Sequence, residues 1–224
     1  MVIENKLPRS GPWSSPLLWS GLACVLLVAL IVVRQFTGGL ASADGGSPPL
    51  LGQVPEFQLI DQAAEPFGTE QLRSQIWVAN FIFTRCPSIC PKLTARMAEL
   101  ERRTAALERL HLVSFSVDPE YDTPEVLAEY AAGHGADTRR WSFLTGPLES
   151  VKAAIEDGLR ISMGRDGEVI NVNEVFHGPH FVLVDDRGRI RGYFDVEDPA
   201  GFESLIADAT LLLGDAGSSE RARN

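Results

Sequence analysis

The chain has 224 residues, which is enough for one domain with an extension or for two small domains. Hydrophobic residues make up 45% of it, so the composition excludes a wholly disordered chain and is sufficient for an ordinary core. The net charge of −10 argues against nucleic acid as a partner, because binding to phosphates needs a basic surface.

An uncharged apolar segment lies near the N-terminus. Residues 17–33 read LLWSGLACVLLVALIVV. As a helix this segment would be about 26 Å long at ~1.5 Å per residue, close to the shortest length that crosses a bilayer. Lys6 and Arg9 make its N-terminal flank the more basic one, which predicts that residues 1–16 are cytoplasmic and that the rest is exported. We therefore expect a single-pass protein of the inner (cytoplasmic) membrane whose soluble domain faces the periplasm.

A cleaved signal peptide is the alternative interpretation of this segment. The A-x-A-like sequence at residues 41–43 resembles a cleavage site. It lies ten residues beyond Val33, and the apolar run is long for a signal peptide, so we favour an uncleaved anchor. Cys24, within the run, is expected to be a buried residue of the membrane helix. Either interpretation exports the remaining chain to a compartment where disulfides can form.

The exported part divides into three regions by composition. Residues 34–50 are rich in Gly, Ser, Ala and Pro and predict a flexible linker. Residues 51–213 predict a folded domain, and the polar residues 214–224 predict a disordered tail.

Strand and helix signals alternate along the predicted domain. In chain order they predict a strand at 76–83, a helix at 91–110, a strand at 111–117, a helix at 124–132, a short strand at 142–144, a helix at 147–157, a hairpin of strands at 181–185 and 190–194, and a helix at 198–213. Thr123 as N-cap, followed by a proline, marks the start of the second helix. This order predicts an α/β protein with a thioredoxin-like fold, in which helices flank a central mixed β-sheet.

A pair of cysteines carries the chemistry of this sequence. Cys86 and Cys90 follow a predicted apolar strand, and Pro91 suits the first turn of the next helix. The positive end of a helix favours thiolates, which are the form that binds soft metal ions. Three residues separate the cysteines, a spacing wide enough for both sulfurs to contact one metal ion. The alternatives are a structural disulfide, common among exported cysteines, and a redox-active pair.

A third copper ligand is expected from one of four histidines. His111 opens a strand at the end of the sheet opposite Cys86, and His134 follows a helix, so both are expected to be surface residues. His177 and His180 lie in the loop that enters the strand at 181–185, and this loop faces the dithiol in thioredoxin-like folds. The residues alone favour His177 and leave His180 as the alternative.

Four stretches of the chain resemble the Sco/SenC family of copper-binding assembly proteins. Residues 81–91 (FIFTRCPSICP), 116–127 (SVDPEYDTPEVL) and 141–146 (WSFLTG) match its motifs. His177 stands eleven residues before Gly188, as in a fourth motif. The resemblance covers residues 51–213, and the N-terminal anchor is also typical. One departure is Phe176, where the family usually has an aspartate before the ligand histidine.

The resemblance implies a function and a set of partners. It implies that Cys86, Cys90 and His177 bind one copper ion, Cu(I) or Cu(II). It also implies a metallochaperone that helps to build the binuclear copper centre of cytochrome c oxidase subunit II, by delivering copper, by reducing the cysteines of that subunit, or both. The expected partners are this subunit or a similar oxidase subunit, a copper donor protein and the membrane.

Two other functions compete with the metallochaperone. A thiol–disulfide oxidoreductase would use Cys86 or Cys90 to attack a disulfide, and a peroxidase-like protein would need only one thiolate. Arg85 is a candidate to stabilise a thiolate in all three cases. The acidic residues Asp118, Glu120 and Asp122 could form a docking surface near the site, but turn chemistry and capping of the next helix are favoured for them.

Overall fold

The computed structural model describes residues 47–163, 169–171 and 180–221. Its elements, in chain order, are β1 (Gly52–Gln53), β2 (Gln58–Ile60), β3 (Pro66–Gly68), β4 (Ile76–Ile82), α1 (Ile89–Arg103), β5 (Leu110–Ser116), α2 (Pro124–Gly133), β6 (Trp141–Leu144), α3 (Leu148–Lys152) followed by a π-helical turn (Ala153–Gly158), β7 (Ile161–Met163), β8 (Val169–Asn171), β9 (His180–Val184), β10 (Arg189–Asp195) and α4 (Pro199–Arg221). None of the helices within these ranges is both long enough and apolar enough to cross a membrane. The predicted cytoplasmic residues 1–16, the anchor at 17–33 and most of the linker at 34–50 lie outside the described residues.

A six-stranded mixed sheet forms the centre of the described structure. Its strand order is β1-β10-β9-β4-β5-β6. The pairs β4–β5 and β5–β6 are parallel, whereas β9 pairs antiparallel with both β4 and β10. The predicted mixed α/β sheet with an antiparallel hairpin is therefore confirmed. The small hairpins β2–β3 and β7–β8 lie outside this sheet.

The central strand β4 is buried on both of its faces. Every residue of Ile76–Ile82 is buried, and successive side chains point to opposite sides of the sheet. Val78 and Ile82 pack in a core with α1, α2 and α4. Trp77 and Phe81 pack in a second core with the α3 region and the β2–β3 hairpin. Helices thus cover both faces of the sheet, and the strand is accordingly apolar except for the buried Asn80.

Helices α1 and α4 differ in length from their predicted ranges. Helix α1 begins two residues before Pro91 and ends at Arg103. Beyond it, the Thr104 hydroxyl donates to Leu100 O and Leu107 N donates to Thr104 O, so the chain turns instead of continuing the helix. Helix α4 continues to Arg221, past the predicted end at residue 213. Adding residues to an existing helix costs little, because each one gains a hydrogen bond.

The dithiol and the strand ends around it share one edge of the sheet. Parallel strands β4 and β5 finish at the same edge, where Val117 N donates to Ile82 O at 2.8 Å. Strand β9 runs the opposite way and begins at this edge with His180, which is paired with Asp195. The loops after β4 and β5 and the segment before β9 therefore meet the sheet at the same end.

A buried carboxylate stabilises the other end of the sheet. Asp185 is 2% exposed and accepts hydrogen bonds from Nε of Arg189 at 2.8 Å and Nε of Arg191 at 2.7 Å. Burial alone raises the pKa of Asp185. Hydrogen bonds from the Arg189 and Arg187 backbone and from both arginine side chains outweigh that effect, so the pKa lies below its ordinary value. Arg191 also donates to Pro48 O at 2.6 Å and so fixes the start of the domain to the β9–β10 hairpin.

We predict that Asp185→Ala lowers the free energy of unfolding by about 3–5 kcal/mol, because it leaves two partly buried guanidinium groups unpaired. Since the folded-state pKa is depressed, the stabilisation is complete above the unfolded value of ~3.9 and fades as the pH falls through the lower folded value. Urea denaturation followed by tryptophan fluorescence at pH 7 and at acidic pH measures both effects. Glu56→Ala, which removes an exposed partner of Arg73, should cost less than about 1 kcal/mol. Equal losses in the two variants would contradict the prediction.

Candidate metal centre

Cys86 and Cys90 lie where the chain passes from the central strand into a helix. Strand β4 ends at Ile82, and Cys86 N donates to Phe83 O at 3.1 Å in the loop that follows. Cys90 is in the first turn of α1. The sequence prediction of this location is confirmed. Both side chains are thiols, and they are 7% and 4% exposed.

The two sulfurs have different hydrogen-bonding environments. The Sγ of Cys86 accepts a hydrogen bond from Cys90 N at 3.4 Å and lies 3.8 Å from Ser88 Oγ. These donors belong to the start of α1, where backbone N–H groups have no partner within the helix. They stabilise negative charge on Cys86 in particular.

The acidities of the two thiols follow from these environments. Burial raises the pKa of Cys86, but hydrogen bonds from the backbone and side chains of Cys90 and Ser88 outweigh burial and lower it to about 7. Burial raises the pKa of Cys90 to about 12, and the neighbouring charges of Cys86 and Asp122 act in the same direction. At neutral pH, Cys86 is therefore partly a thiolate whereas Cys90 remains protonated. Cys86 is the sulfur prepared for nucleophilic attack.

We predict that iodoacetamide alkylates the reduced, metal-free protein first at Cys86, with a rate that is half-maximal near pH 7. Because only the thiolate reacts, Cys90 should resist alkylation until strongly alkaline pH. Mass spectrometry of peptides from a pH series gives both profiles. Cys90→Ser should retain the profile near pH 7, and Cys86→Ser should lose it. Faster modification of Cys90 than of Cys86 at pH 7 would contradict the assignment.

The buried carboxylate of Asp122 joins the dithiol loop to the loop after β5. Asp122 is fully buried and accepts hydrogen bonds from Thr84 N at 3.2 Å, Thr84 Oγ1 at 2.5 Å and Ser116 Oγ at 2.6 Å. Thr84 precedes Cys86 by two residues, so this carboxylate fixes the start of the dithiol loop. Capping of α2 is carried out by Thr123, whose Oγ1 accepts from Val126 N at 3.4 Å.

Sequence reasoning missed the role of Asp122. It favoured turn chemistry and helix capping for the acidic residues after β5, and a single sequence carries no signal that one of several nearby carboxylates is buried. The available clue was the position of Asp122 next to the N-cap of α2, at the carboxyl end of a buried strand.

We predict that Asp122→Ala lowers the free energy of unfolding by about 3 kcal/mol, because three donors in the interior lose their acceptor. Asp122→Asn should cause a smaller loss, since it keeps one acceptor oxygen. Glu120→Ala, on the exposed side of the same turn, is the matched control and should change stability by less than about 0.5 kcal/mol. Urea denaturation of the four proteins tests the order. A loss no larger than that of the control would show that the buried contacts are unimportant.

Arg85 is engaged with residues of the neighbouring loop. Its Nη2 lies 2.6 Å from Asp118 Oδ2, and its Cζ lies 4.0 Å from the centroid of the Tyr121 ring. Arg85 was a candidate to stabilise a thiolate, but the groups within hydrogen-bond distance of Cys86 Sγ are Cys90 N and Ser88 Oγ. The described contacts of the guanidinium thus connect the two loops.

A family model described as SCO1/SenC matches residues 50–210. The chain belongs to the SCO1/SenC family. The family resemblance recognised in the sequence motifs is therefore confirmed.

Three SCO1/SenC relatives illustrate the similarity. The SCO1 protein homolog of Bacillus subtilis is 32% identical over 187 residues, which are 79% of this chain and 95% of the homolog. A second relative is BsSco, whose structure is described as that of a member of the Sco family of cytochrome c oxidase assembly proteins with a disulfide switch. It is 28% identical to this chain, with a TM-score of 0.65. The match covers 75% of this chain and 98% of BsSco. Copper-bound ScoI of Bradyrhizobium japonicum is 23% identical, with a TM-score of 0.56, and the match covers 71% of this chain and 99% of ScoI. At this level of identity the similarity shows the fold alone. The thioredoxin-like fold of Sco proteins is the fold of this chain.

The histidines of this SCO1/SenC chain differ in their surroundings. His111 lies at the far end of the sheet as predicted, but it is half-buried and not a surface residue. Its ring stacks on Phe67, Nε2 lies 3.0 Å from Ser142 Oγ, and burial lowers its pKa to about 4, with a smaller contribution from the Arg140 charge. His134 caps the end of α2 and lies against Tyr130, with 4.5 Å between ring centroids.

The remaining two histidines are His177 and His180. His180 is half-buried and is the first residue of β9, at the dithiol edge of the sheet. His177 lies outside the described residues. Among residues that are described, no group of three or more His, Cys, Asp or Glu side chains is arranged to hold a metal ion. The structure therefore brings Cys86 and Cys90 together, and His177 as the third ligand stays a prediction.

Proposed function

We propose that this protein is a membrane-anchored copper chaperone. It binds one copper ion through Cys86, Cys90 and His177 and assists assembly of the binuclear copper centre of cytochrome c oxidase subunit II. It does so by delivering copper, by reducing the cysteines of that subunit, or both. The observation that carries the proposal is the thiol pair at the start of α1, at the sheet edge where β9 begins with His180.

The donor set supports copper in particular. Thiolates are soft ligands that suit Cu(I), and an imidazole added to two thiolates also suits Cu(II). Only two residues separate His177 from His180 in the sequence, so covalent geometry keeps their Cα atoms within about 11 Å. Relatives with this fold include one solved with copper bound. His180 is the alternative third ligand.

The proposed cellular location follows from the N-terminal sequence. Residues 17–33 act as an uncleaved anchor in the inner membrane, with residues 1–16 in the cytoplasm and the copper-binding domain in the periplasm. The linker at 34–50, up to Pro48 where Arg191 holds the chain, gives the domain freedom to reach a membrane-embedded oxidase and a copper donor protein.

The difference between the two thiols favours reduction as a second activity. The thiolate of Cys86 attacks one sulfur of a partner disulfide, forming a mixed disulfide and releasing the other partner sulfur as a thiolate. Cys90, on losing its proton, attacks the Cys86 sulfur and releases the second partner thiolate. The partner disulfide gains two electrons, and this protein ends with a Cys86–Cys90 disulfide that an external dithiol must reduce. A thiol–disulfide oxidoreductase that never binds copper is the competing function.

We predict that Cys86→Ser, Cys90→Ser and His177→Ala each reduce copper binding from one ion per chain to background, because each removes one of three ligands. His134→Ala, at the C-terminal end of α2, is the matched control and should bind one ion. Competition with a chromogenic Cu(I) chelator measures stoichiometry and affinity.

The same series separates the alternatives. If His180→Ala loses copper and His177→Ala retains it, the third ligand is His180. Full copper binding by both histidine variants would contradict a site made of two cysteines and one of these histidines. Absence of binding by the unaltered protein would leave the oxidoreductase as the function.

A further inference from the structure

An exposed aromatic surface lies where the dithiol loop meets the loop after β5. It consists of Arg85, Asp118 and Tyr121, and we name it the Tyr121 platform. The Arg85 guanidinium lies 4.0 Å from the centre of the Tyr121 ring and pairs with Asp118 at 2.6 Å. Arg85 is the residue immediately before Cys86, so the platform adjoins the dithiol.

The platform is fixed in position relative to Cys86. Tyr121 N and Asp122 N both donate to Asp118 O, at 3.1 Å and 2.9 Å, which closes the turn that carries the ring. The buried Asp122 carboxylate binds this turn to Thr84 in the dithiol loop. A surface held in this way loses little conformational entropy when a partner binds to it.

The Tyr121 ring is unusually exposed for a large apolar side chain in this domain. Tyr121 is 45% exposed. Within the described ranges, the other large hydrophobic side chains with comparable exposure are Leu50 and Leu51, at the start of the domain, and Leu211, in the last helix. Tyr121 is the one aromatic residue of this group. Tyrosine and arginine are the residue types that contribute most strongly to protein interfaces when they become buried.

The burial of Cys86 dictates how a partner must approach. Cys86 is only 7% exposed, and a disulfide bond brings two sulfurs to about 2.05 Å. A protein disulfide that reacts with Cys86 must therefore bring its backbone and neighbouring side chains against the loops around the sulfur. The Tyr121 platform is an exposed part of these loops, since Arg85 precedes Cys86 and its guanidinium lies against the Tyr121 ring.

We propose that the Tyr121 platform is the docking surface for the cysteine-bearing segment of the partner polypeptide. The proposal rests on the proposed function, since the partner is the protein whose cysteines receive copper or electrons. The ion pair of Arg85 with Asp118 balances the charges of the platform, and the exposed Tyr121 ring supplies apolar area, so the ring suits an apolar side chain next to the partner's cysteine. Such a contact depends on buried apolar area and is only weakly screened by salt.

The test compares a protein disulfide with a small one. The oxidised copper domain of a cytochrome c oxidase subunit II and 5,5′-dithiobis(2-nitrobenzoate) are each reacted with the reduced full-length protein in detergent, and the second-order rates are measured. We expect Tyr121→Ala to react with the protein disulfide about tenfold more slowly, the effect of losing one interface anchor. Its rate with the small disulfide should stay within about twofold of the unaltered protein, because the small molecule needs no platform.

Two further variants and a measurement in high salt serve as controls. Tyr121→Phe retains the ring and should restore most of the rate with the protein disulfide. Leu211→Ala removes another exposed apolar side chain, distant in sequence from the dithiol, and should behave as the unaltered protein. The ratio between the unaltered protein and Tyr121→Ala should persist in high salt.

Each of the following outcomes contradicts either the docking proposal or the proposed function. An unchanged rate of Tyr121→Ala with the protein disulfide overturns the docking proposal and leaves the proposed function intact. Equal slowing with both disulfides shows that Tyr121 acts on the reactivity of Cys86 and not on docking. A dimer of the unaltered protein that Tyr121→Ala abolishes, seen by sedimentation, would make a second copy the occupant. If the unaltered protein neither reduces nor metallates the subunit II domain, the proposed function fails, and the docking proposal fails with it.

Discussion

The buried hydrogen bonds of Asp122 hold together the parts of this molecule that carry its chemistry. They connect the end of β4 to the end of β5, two parallel strands that finish at the same edge of the sheet. Through Thr84 they fix the loop that presents Cys86, and through the turn at residues 118–122 they fix the surface next to it. A carboxylate in the interior needs several donors, and here those donors come from both loops. The requirement for satisfied hydrogen bonds thus determines the geometry of the site.

The two sulfurs are suited to two kinds of transfer. Cys86, with a pKa of about 7, supplies a nucleophile at neutral pH, whereas Cys90, with a pKa of about 12, is protonated at that pH. Binding of a metal ion through both sulfurs requires Cys90 to lose its proton, so metal affinity at this site rises with pH. Reduction of a disulfide uses the same proton at a later step. The same thiol pair at the start of α1 can therefore support both copper delivery and disulfide reduction, the two activities proposed for this SCO1/SenC protein.

Sequence reasoning predicted the features that extend over many residues or have strong local chemistry. The apolar run of β4, the Thr123-Pro124 start of α2 and the cysteine pair at a strand–helix junction are of this kind. Strands of two or three residues, such as β1 and β7, are too short to show periodicity. The end of α1 depends on a local hydrogen bond of Thr104, and the burial of His111 depends on contacts with Phe67 and Ser142. These features arise from tertiary contacts that a single sequence does not display.

The fixed position of Pro48 has a mechanical consequence. The contact of Arg191 with Pro48 O, and the pairing of Leu51 with Ile190, attach the beginning of the domain near the start of β10, away from the end that carries Cys86. A seven-residue strand such as β10 spans about 20 Å, so roughly this distance separates the sulfurs from the attachment point. Any rotation of the domain about residue 47 therefore moves the dithiol through a wide arc while the attachment point barely moves. Small changes in domain orientation become large displacements of the reactive end.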